Sequence, residues 1–403
     1  MEVLNFFQGI YTFFLVSPGE ALARVFLIAL GLLFLYLGYR RTLEPLLMIP
    51  MGIGMLGVNG GVLIFEANNI RTLGTLFVNP LVSNTDLLQA MQINFLQPIY
   101  SLTFSNGLIA CLVFMGIGAI TEIDFLIAKP YLSLFLAAFA ELGTIVTLPI
   151  AMAMGLTVPQ AASISLVGGA DGPMVLFGSL RMAPELFVPI AVVAYVYLSV
   201  CYVGYPYLAK IIPREQRGIE MNFREIPEVS PGAKFAFAVI GCAVLCILFP
   251  VAAPLFASFF VGLAVKEAGV TRLTEFLAGP VLYGSTFFLG FTLGALLGTN
   301  VILDPHVWLL LVLGMIALTL SGIGGIAGGL LWNKFAKKKI NPLIGLAAVS
   351  CVPTTAKVAQ KCAYQVNKKC MILPFAMGPN VAGVITTAIV TGIYISGVKL
   401  ITG

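Results

Sequence analysis

Asp171 stands alone in an apolar stretch, within the run Gly168-Gly169-Ala170-Asp171-Gly172-Pro173. The 29 positions from 142 to 170 ahead of it hold no Lys, Arg, Asp or Glu, long enough to cross a bilayer. A carboxylate near the bilayer centre costs about 2.5–3.5 kcal/mol on insertion scales, so it is seldom kept there without a task. The flanking glycines and proline break the helix and free carbonyl groups. A carboxylate beside freed carbonyls at membrane depth is the chemistry of a cation or proton site, and the bland alternative is a carboxylate that caps freed amides.

Three further polar groups could share that chemistry. Tyr195 and Tyr197 fall in the helix after the Asp171 segment, where a tyrosine either packs or donates a hydrogen bond and relays a proton. Asn341, Ser350, Thr354, Thr355 and Lys357 follow one another along a second interrupted segment that also carries Gly345 and Pro353. Their hydroxyl, amide and carbonyl oxygens suit a hard cation such as sodium. Asn380, in Gly378-Pro379-Asn380-Val381-Ala382-Gly383, marks one more broken helix. Glu141 is a second carboxylate in apolar surroundings, read either as a protonated partner of Asp171 or as an interfacial residue. Other features read as structural. Cys242 and Cys246 have helical spacing but no histidine beside them, which points to packing. Lone His306 reads as interfacial, and the glycines from 322 to 329 serve close helix packing, since no GxxxxGK[ST] pattern is present.

The elements that must position these residues are membrane helices. Of 403 residues, 59% are hydrophobic and 10% charged, where soluble domains carry roughly 25% charged residues. Charge-free windows cover 45–65, 87–121, 142–170, 186–209, 235–265, 276–303, 305–333 and 370–398, and segment 21–39 adds another. The expected fold is an all-α polytopic membrane protein of roughly nine to eleven transmembrane helices. Basic residues gather in short loops at 40–41, 210–224, 334–339 and 357–369. The positive-inside rule places those loops in the cytoplasm, with 67–97 and the N-terminus outside; it also accounts for the net charge of +5 without nucleic acid. No removable signal peptide is expected. Two repeat-like membrane halves, 1–211 and 234–403, are joined by a charged cytoplasmic connector, 212–233. Each half ends in an interrupted segment, the pattern of a transporter binding site between repeats. Residues 340–356 lie between two basic clusters and read as re-entrant, a hairpin tolerated only where protein or a cavity surrounds it.

Four motifs, GGADGP at 168–173, VAYVYLSV at 193–200, KINPLIGLAAVSCVPTTAKVAQK at 339–361 and AMGPNVAGVI at 376–385, occur in an order that resembles one family. It is the β subunits of the sodium-translocating, biotin-dependent decarboxylases of oxaloacetate, methylmalonyl-CoA, glutaconyl-CoA and malonate. The similarity extends from Glu44-Pro45-Leu46-Leu47 to the last helix. The resemblance implies a carboxybiotin decarboxylase in the bacterial cytoplasmic membrane that consumes a proton and exports sodium ions. Its cofactors would be sodium and carboxybiotin carried on a separate subunit. Its partners would be that biotin carrier, a carboxyltransferase, a small membrane subunit, membrane lipid and further copies of itself, a trimer by analogy. By position, Asp171 would bind sodium in alternation with a proton, and Tyr197 matches the functional tyrosine. Asn341, Gly345, Ser350 and Asn380 would serve the sodium position and path. Lys357, with Asn341, would face carboxybiotin.

Two residues depart from the family pattern. Lys357 stands where arginine is expected, and a lysine offers a compact point charge in place of a planar fork. Phe375 stands where histidine is expected. Both point to a branch serving methylmalonyl-CoA, glutaconyl-CoA or malonate. The chain holds no Met-Lys-Met biotinylation motif, so biotin would arrive on a partner. Two other classes fit the helices alone: a sodium- or proton-coupled secondary transporter of a small anion without chemistry, and a membrane scaffold in which Asp171 is structural.

Overall fold

A computed structural model describes residues 7–67, 70–80, 86–222 and 228–402. Among these residues the fold is almost entirely helical. The exception is one antiparallel hairpin, β1 (Val62–Ala67) with β2 (Ile70–Thr75), in which Val62 faces Thr75 and Ala67 faces Ile70. Among the described residues, seven helices are long and apolar enough to cross a membrane, and nine if each of two bent helix pairs counts as one span. That reaches the lower end of the expected nine to eleven, in a multi-pass membrane protein.

The chain forms two compact units, Met1–Ile109 with Tyr283–Leu309, and Ala110–Leu282 with Leu310–Gly403. In the first, α1 (Pro18–Tyr39) packs on α2 (Pro45–Gly60) through small residues, since a Cβ on Gly31 would lie 3.0 Å from the Gly52 carbonyl. Arg24 is buried in this unit, 3% exposed. Its guanidinium donates to the Asn59 carbonyl at 2.9 and 3.1 Å and to Thr12 Oγ1 at 3.0 Å. The Asn59 amide in turn donates to the Leu297 carbonyl at 2.8 Å. A buried cation is tolerated here because carbonyl oxygens take up its donors.

The second unit contains every residue singled out for chemistry. Its principal elements include, in chain order, α3 (Pro130–Ala153), α4 (Val158–Ser165), α5 (Gly172–Met182), α6 (Phe187–Leu208), α7 (Pro231–Leu248), α8 (Ala253–Glu267) and α9 (Pro305–Phe335), whose first turn belongs to the other unit. They are followed by α10 (Leu343–Ala347), α11 (Thr354–Val366) and α12 (Leu373–Thr402). Several charge-free windows differ from the helices they were expected to form; window 45–65, for one, holds only the 16-residue α2 before β1 begins. Window 142–170 does not cross as one helix: the crossing helix is α3, which starts at Pro130 and carries Glu141 in its middle, while Val158–Ser165 is a separate short helix. Glu141 is only 4% exposed, so its charge marks no membrane boundary. Window 235–265 holds two helices, α7 and α8, because Pro250 turns the chain after Phe249.

Small residues allow the helices around the site to meet closely. A Cβ on Gly324 would meet the Phe139 carbonyl, and one on Gly143 would meet Ser321. Without a strong hydrophobic drive between helices in lipid, such backbone approach supplies the packing.

Candidate functional site

Asp171 owes its place to a specific failure of the helix. After α4 the chain tightens into a 3-10 turn at Leu166–Gly169, and Ala170 then adopts a left-handed conformation with φ 54° and ψ 33°. Left-handed backbone at a residue with a Cβ costs roughly 1–2 kcal/mol, which ends the helix. Asp171 becomes the N-cap of α5, and its Oδ1 accepts from the Met174 amide at 3.2 Å. A helix N-terminus presents amide groups and the positive end of the helix dipole, which favour an anionic side chain at this position. Asp171 is 5% exposed. The Tyr195 ring lies directly on the break, since a Cβ on Gly172 would come 2.8 Å from the Tyr195 hydroxyl.

The second interrupted segment docks onto the first. Following the five-residue helix α10, residues 348–353 run without helix to α11, through a cis Val352–Pro353 bond. Ser350 caps the Gly169 carbonyl twice, through its amide at 3.1 Å and its hydroxyl at 2.5 Å. The carbonyls freed by this turn are covered from two sides. Thr355 Oγ1 donates to the Val349 carbonyl at 2.6 Å. Asn380 Nδ2 reaches the Ala347 carbonyl at 2.7 Å, the Val349 carbonyl at 3.1 Å and Thr355 Oγ1 at 2.9 Å. With its amide nitrogen facing these acceptors, Asn380 Oδ1 is buried without a protein partner.

A third helix closes the group. Thr387, two turns beyond Asn380 on α12, contacts Ser350 Oγ at 3.1 Å and forms a short hydrogen bond with Glu141 Oε1. Glu141 Oε2, Thr144 Oγ1 and Tyr195 Oη are likewise buried without a protein partner. The result is a cluster of oxygen atoms inside an apolar bundle, with two carboxyl groups and several spare lone pairs. The donors here are carboxyl, hydroxyl, amide and carbonyl oxygens, which suit a hard, oxygen-seeking cation; among the described residues no three His, Cys, Asp or Glu side chains cluster as metal ligands.

The other expected site residues are placed differently. Tyr197, 6% exposed, turns to α9, where its hydroxyl donates to the Leu311 carbonyl at 2.5 Å and its ring packs on Gly314. Asn341 holds the loop that follows α6, donating to the Arg217 carbonyl at 2.9 Å and the Ile219 carbonyl at 3.0 Å, while its Oδ1 accepts from the Leu343 amide. Gly345 lies against α9, where a Cβ would meet the Gly325 carbonyl. Lys357 is exposed in the first turn of α11. Phe375 is buried edge-on against Phe125, with ring centroids 5.5 Å apart, filling with carbon the place where a histidine was expected. Thr387 was not anticipated from the sequence, although its i, i+7 spacing from Asn380 puts both on one helix face.

Residues 23–398 match the family model described as the Na+-transporting oxaloacetate decarboxylase beta subunit. The chain is 50% identical over 402 residues to the carboxybiotin decarboxylase of Malonomonas rubra, covering 99% of each chain. It is 33% identical over 383 residues to the methylmalonyl-CoA decarboxylase subunit beta of Propionigenium modestum, covering 94% of this chain and 95% of that one. To the oxaloacetate decarboxylase beta chain of Klebsiella pneumoniae it is 32% identical over 435 residues, covering 98% and 99%.

Proposed function

We propose, for a chain that belongs to the Na+-transporting oxaloacetate decarboxylase beta subunit family, that it is the membrane subunit of a primary sodium pump driven by carboxybiotin. A separate carrier presents carboxybiotin; the N-carboxyl group leaves as CO2, one proton replaces it on biotin, and sodium ions leave the cell. The observation that carries this reading is Asp171, buried at a helix break onto which the second interrupted segment docks through Ser350. A carboxylate holds a sodium ion or a proton but not both well, so proton entry at Asp171 displaces sodium. That competition ties the proton demand of decarboxylation to ion movement.

In this reading Asp171 and Ser350 hold sodium, and Asn380 offers its unpartnered Oδ1. Gly345 and Asn341 line the path less directly, since one packs against α9 and the other holds the loop that follows α6. Tyr195 is better placed than Tyr197 to donate to a bound group at Asp171, because its hydroxyl lies beside Gly172 with no protein partner. Lys357 receives the carboxylate of carboxybiotin as a compact cation. With lysine there and phenylalanine at 375, the donor is methylmalonyl-CoA, glutaconyl-CoA or malonate and not oxaloacetate. The protein works in the bacterial cytoplasmic membrane as a homo-oligomer, a trimer, with a carboxyltransferase, a biotin carrier and a small membrane subunit.

The test is decarboxylation of free carboxybiotin by the purified subunit, with and without its membrane partner, across a sodium titration. Saturable stimulation by sodium that disappears in Asp171→Asn is expected. Equal sodium dependence in that variant rules out the role given to Asp171. Sodium binding without turnover points to a transporter.

A further inference from the structure

Glu141 is unused by the function above, and its surroundings contain a hydrogen-counting problem. Three contacts run in series: Glu141 Oε1 with Thr387 Oγ1, Thr387 Oγ1 with Ser350 Oγ at 3.1 Å, and Ser350 Oγ with the Gly169 carbonyl at 2.5 Å. If Glu141 is ionised, only two hydrogens serve these three contacts, since each hydroxyl carries one. The Gly169 carbonyl has no hydrogen of its own, so Ser350 must spend its hydrogen there. Thr387 must then point its hydrogen at the carboxylate. The middle contact is left with two lone pairs facing each other. A proton on Glu141 removes the conflict: the acid donates to Thr387, Thr387 to Ser350, and Ser350 to Gly169.

We propose that Glu141 carries a proton that completes a one-way hydrogen-bond chain from α3 to the carbonyl two residues before Asp171, linking proton occupancy at Glu141 to the sodium site. The burial of the group agrees. Its second oxygen makes no hydrogen bond of ordinary geometry. The hydroxyls of Thr144 and Thr386 lie near the carboxyl, but among the described residues no cation does, and an ionised carboxylate without a cation in an apolar bundle is costly. Two other titratable groups face it, Asp171 across the break and Tyr394 on α12, whose hydroxyl donates to the Thr144 carbonyl at 3.2 Å. Neither supplies a positive charge, and no Lys, Arg or His among the described residues offsets a negative one at Glu141. When the proton leaves, Thr387 turns its hydrogen to the carboxylate and the link from Thr387 to Ser350 is lost. The second interrupted segment is then held to α12 by one bond fewer at the residue that faces the sodium position. This role in transport rests on the proposed function, whereas the protonation itself does not.

Infrared spectroscopy of the purified full chain reads the proton without turnover. The wild type at neutral pH should show a protonated-carboxyl band that is lost in Glu141→Gln and kept in Asp171→Asn. An unchanged band in Glu141→Gln overturns the assignment. Should that variant fail to fold, Thr387→Val removes the acceptor, and the band should move to higher frequency; an unmoved band again overturns it. The link to the sodium site is read from sodium affinity against pH, which should flatten in Glu141→Gln; identical profiles refute the link. A Glu141 band without sodium-dependent decarboxylation would sink the function and spare the protonation. Sodium-dependent decarboxylation without the band would do the reverse.

Discussion

At the scale of single residues, the site depends on side chains whose second atoms are as important as their first. Asn380 donates to two carbonyls and a hydroxyl while keeping Oδ1 free. Asn380→Ala removes the amide donor from both carbonyls. Val349 keeps the Thr355 hydroxyl at 2.6 Å, so the loss falls mainly on Ala347. A buried acceptor that loses its principal donor costs about 1–3 kcal/mol. Thermal unfolding in detergent should therefore fall for this variant, and sodium-dependent decarboxylation should fall with it. Gly172→Ala acts by pressure instead, because its Cβ would sit 2.5 Å from the Tyr195 ring. Overpacking of this kind costs about 1–3 kcal/mol. It should weaken sodium affinity by displacing Tyr195, whereas Gly204→Ala, with open space around it, should leave affinity unchanged. Much of this was legible in the sequence, since an Asp, an Asn or a Ser in an apolar run is conspicuous. The choice between Tyr195 and Tyr197 was not. Two residues apart on one helix, they differ by roughly 200° in direction, and only packing decides which one meets Asp171. Thr387 was hidden for a different reason: threonine is ordinary in membrane helices, and its importance comes from a carboxyl 246 residues away in the chain.

At the scale of elements, the break at 166–171 is made by geometry more than by glycine content. Ala170 holds the left-handed conformation that glycine adopts freely. Ala170→Gly should therefore keep sodium-dependent decarboxylation and unfold no lower than the wild type. Ala170→Val should lower both, because a β-branched residue at positive φ is a severe outlier. Circular dichroism melts alongside turnover distinguish these outcomes, and an unimpaired Ala170→Val would show that the left-handed turn is dispensable. The break itself was readable from Gly-Gly-Ala-Asp-Gly-Pro, since each residue there disfavours a continuous helix or caps a new one. Helix ends were less readable where they depended on charge. Glu141 falls inside α3, so the window that began after it was displaced from the real helix. The hairpin β1–β2 was missed because the charge-free run through position 65 continues past the end of α2 at Gly60. Composition cannot mark that boundary; the backbone does, with Gly61 leaving the helical region at φ −93° and ψ 40°.

For the whole molecule, the sequence of crossings decides which chemistry can reach which side. A span of roughly 20 residues is needed to cross the hydrocarbon core. Neither α10, with five residues, nor α11, with thirteen, meets that length. Helices α9 and α12, with 31 and 30 residues, do. The segment from 340 to 366 should then enter and return on one face, leaving the basic clusters before and after it on the same side. Its freed carbonyls are covered by Thr355 and Asn380, which meets the condition for irregular backbone at membrane depth. Single cysteines placed at Lys337 and Lys368 in a background free of the seven native cysteines test this arrangement. Both should react with a membrane-impermeant thiol reagent in inside-out vesicles and neither in intact cells. Labelling from opposite sides would mean that the segment crosses, and the carboxybiotin and sodium positions would need different entrances. Labelling from the cytoplasm alone puts exposed Lys357 on the side where a soluble biotin carrier arrives. It also leaves Asp171 and Ser350 buried beyond it, so the proton and the sodium ion must meet below the surface at which the carboxyl group is lost.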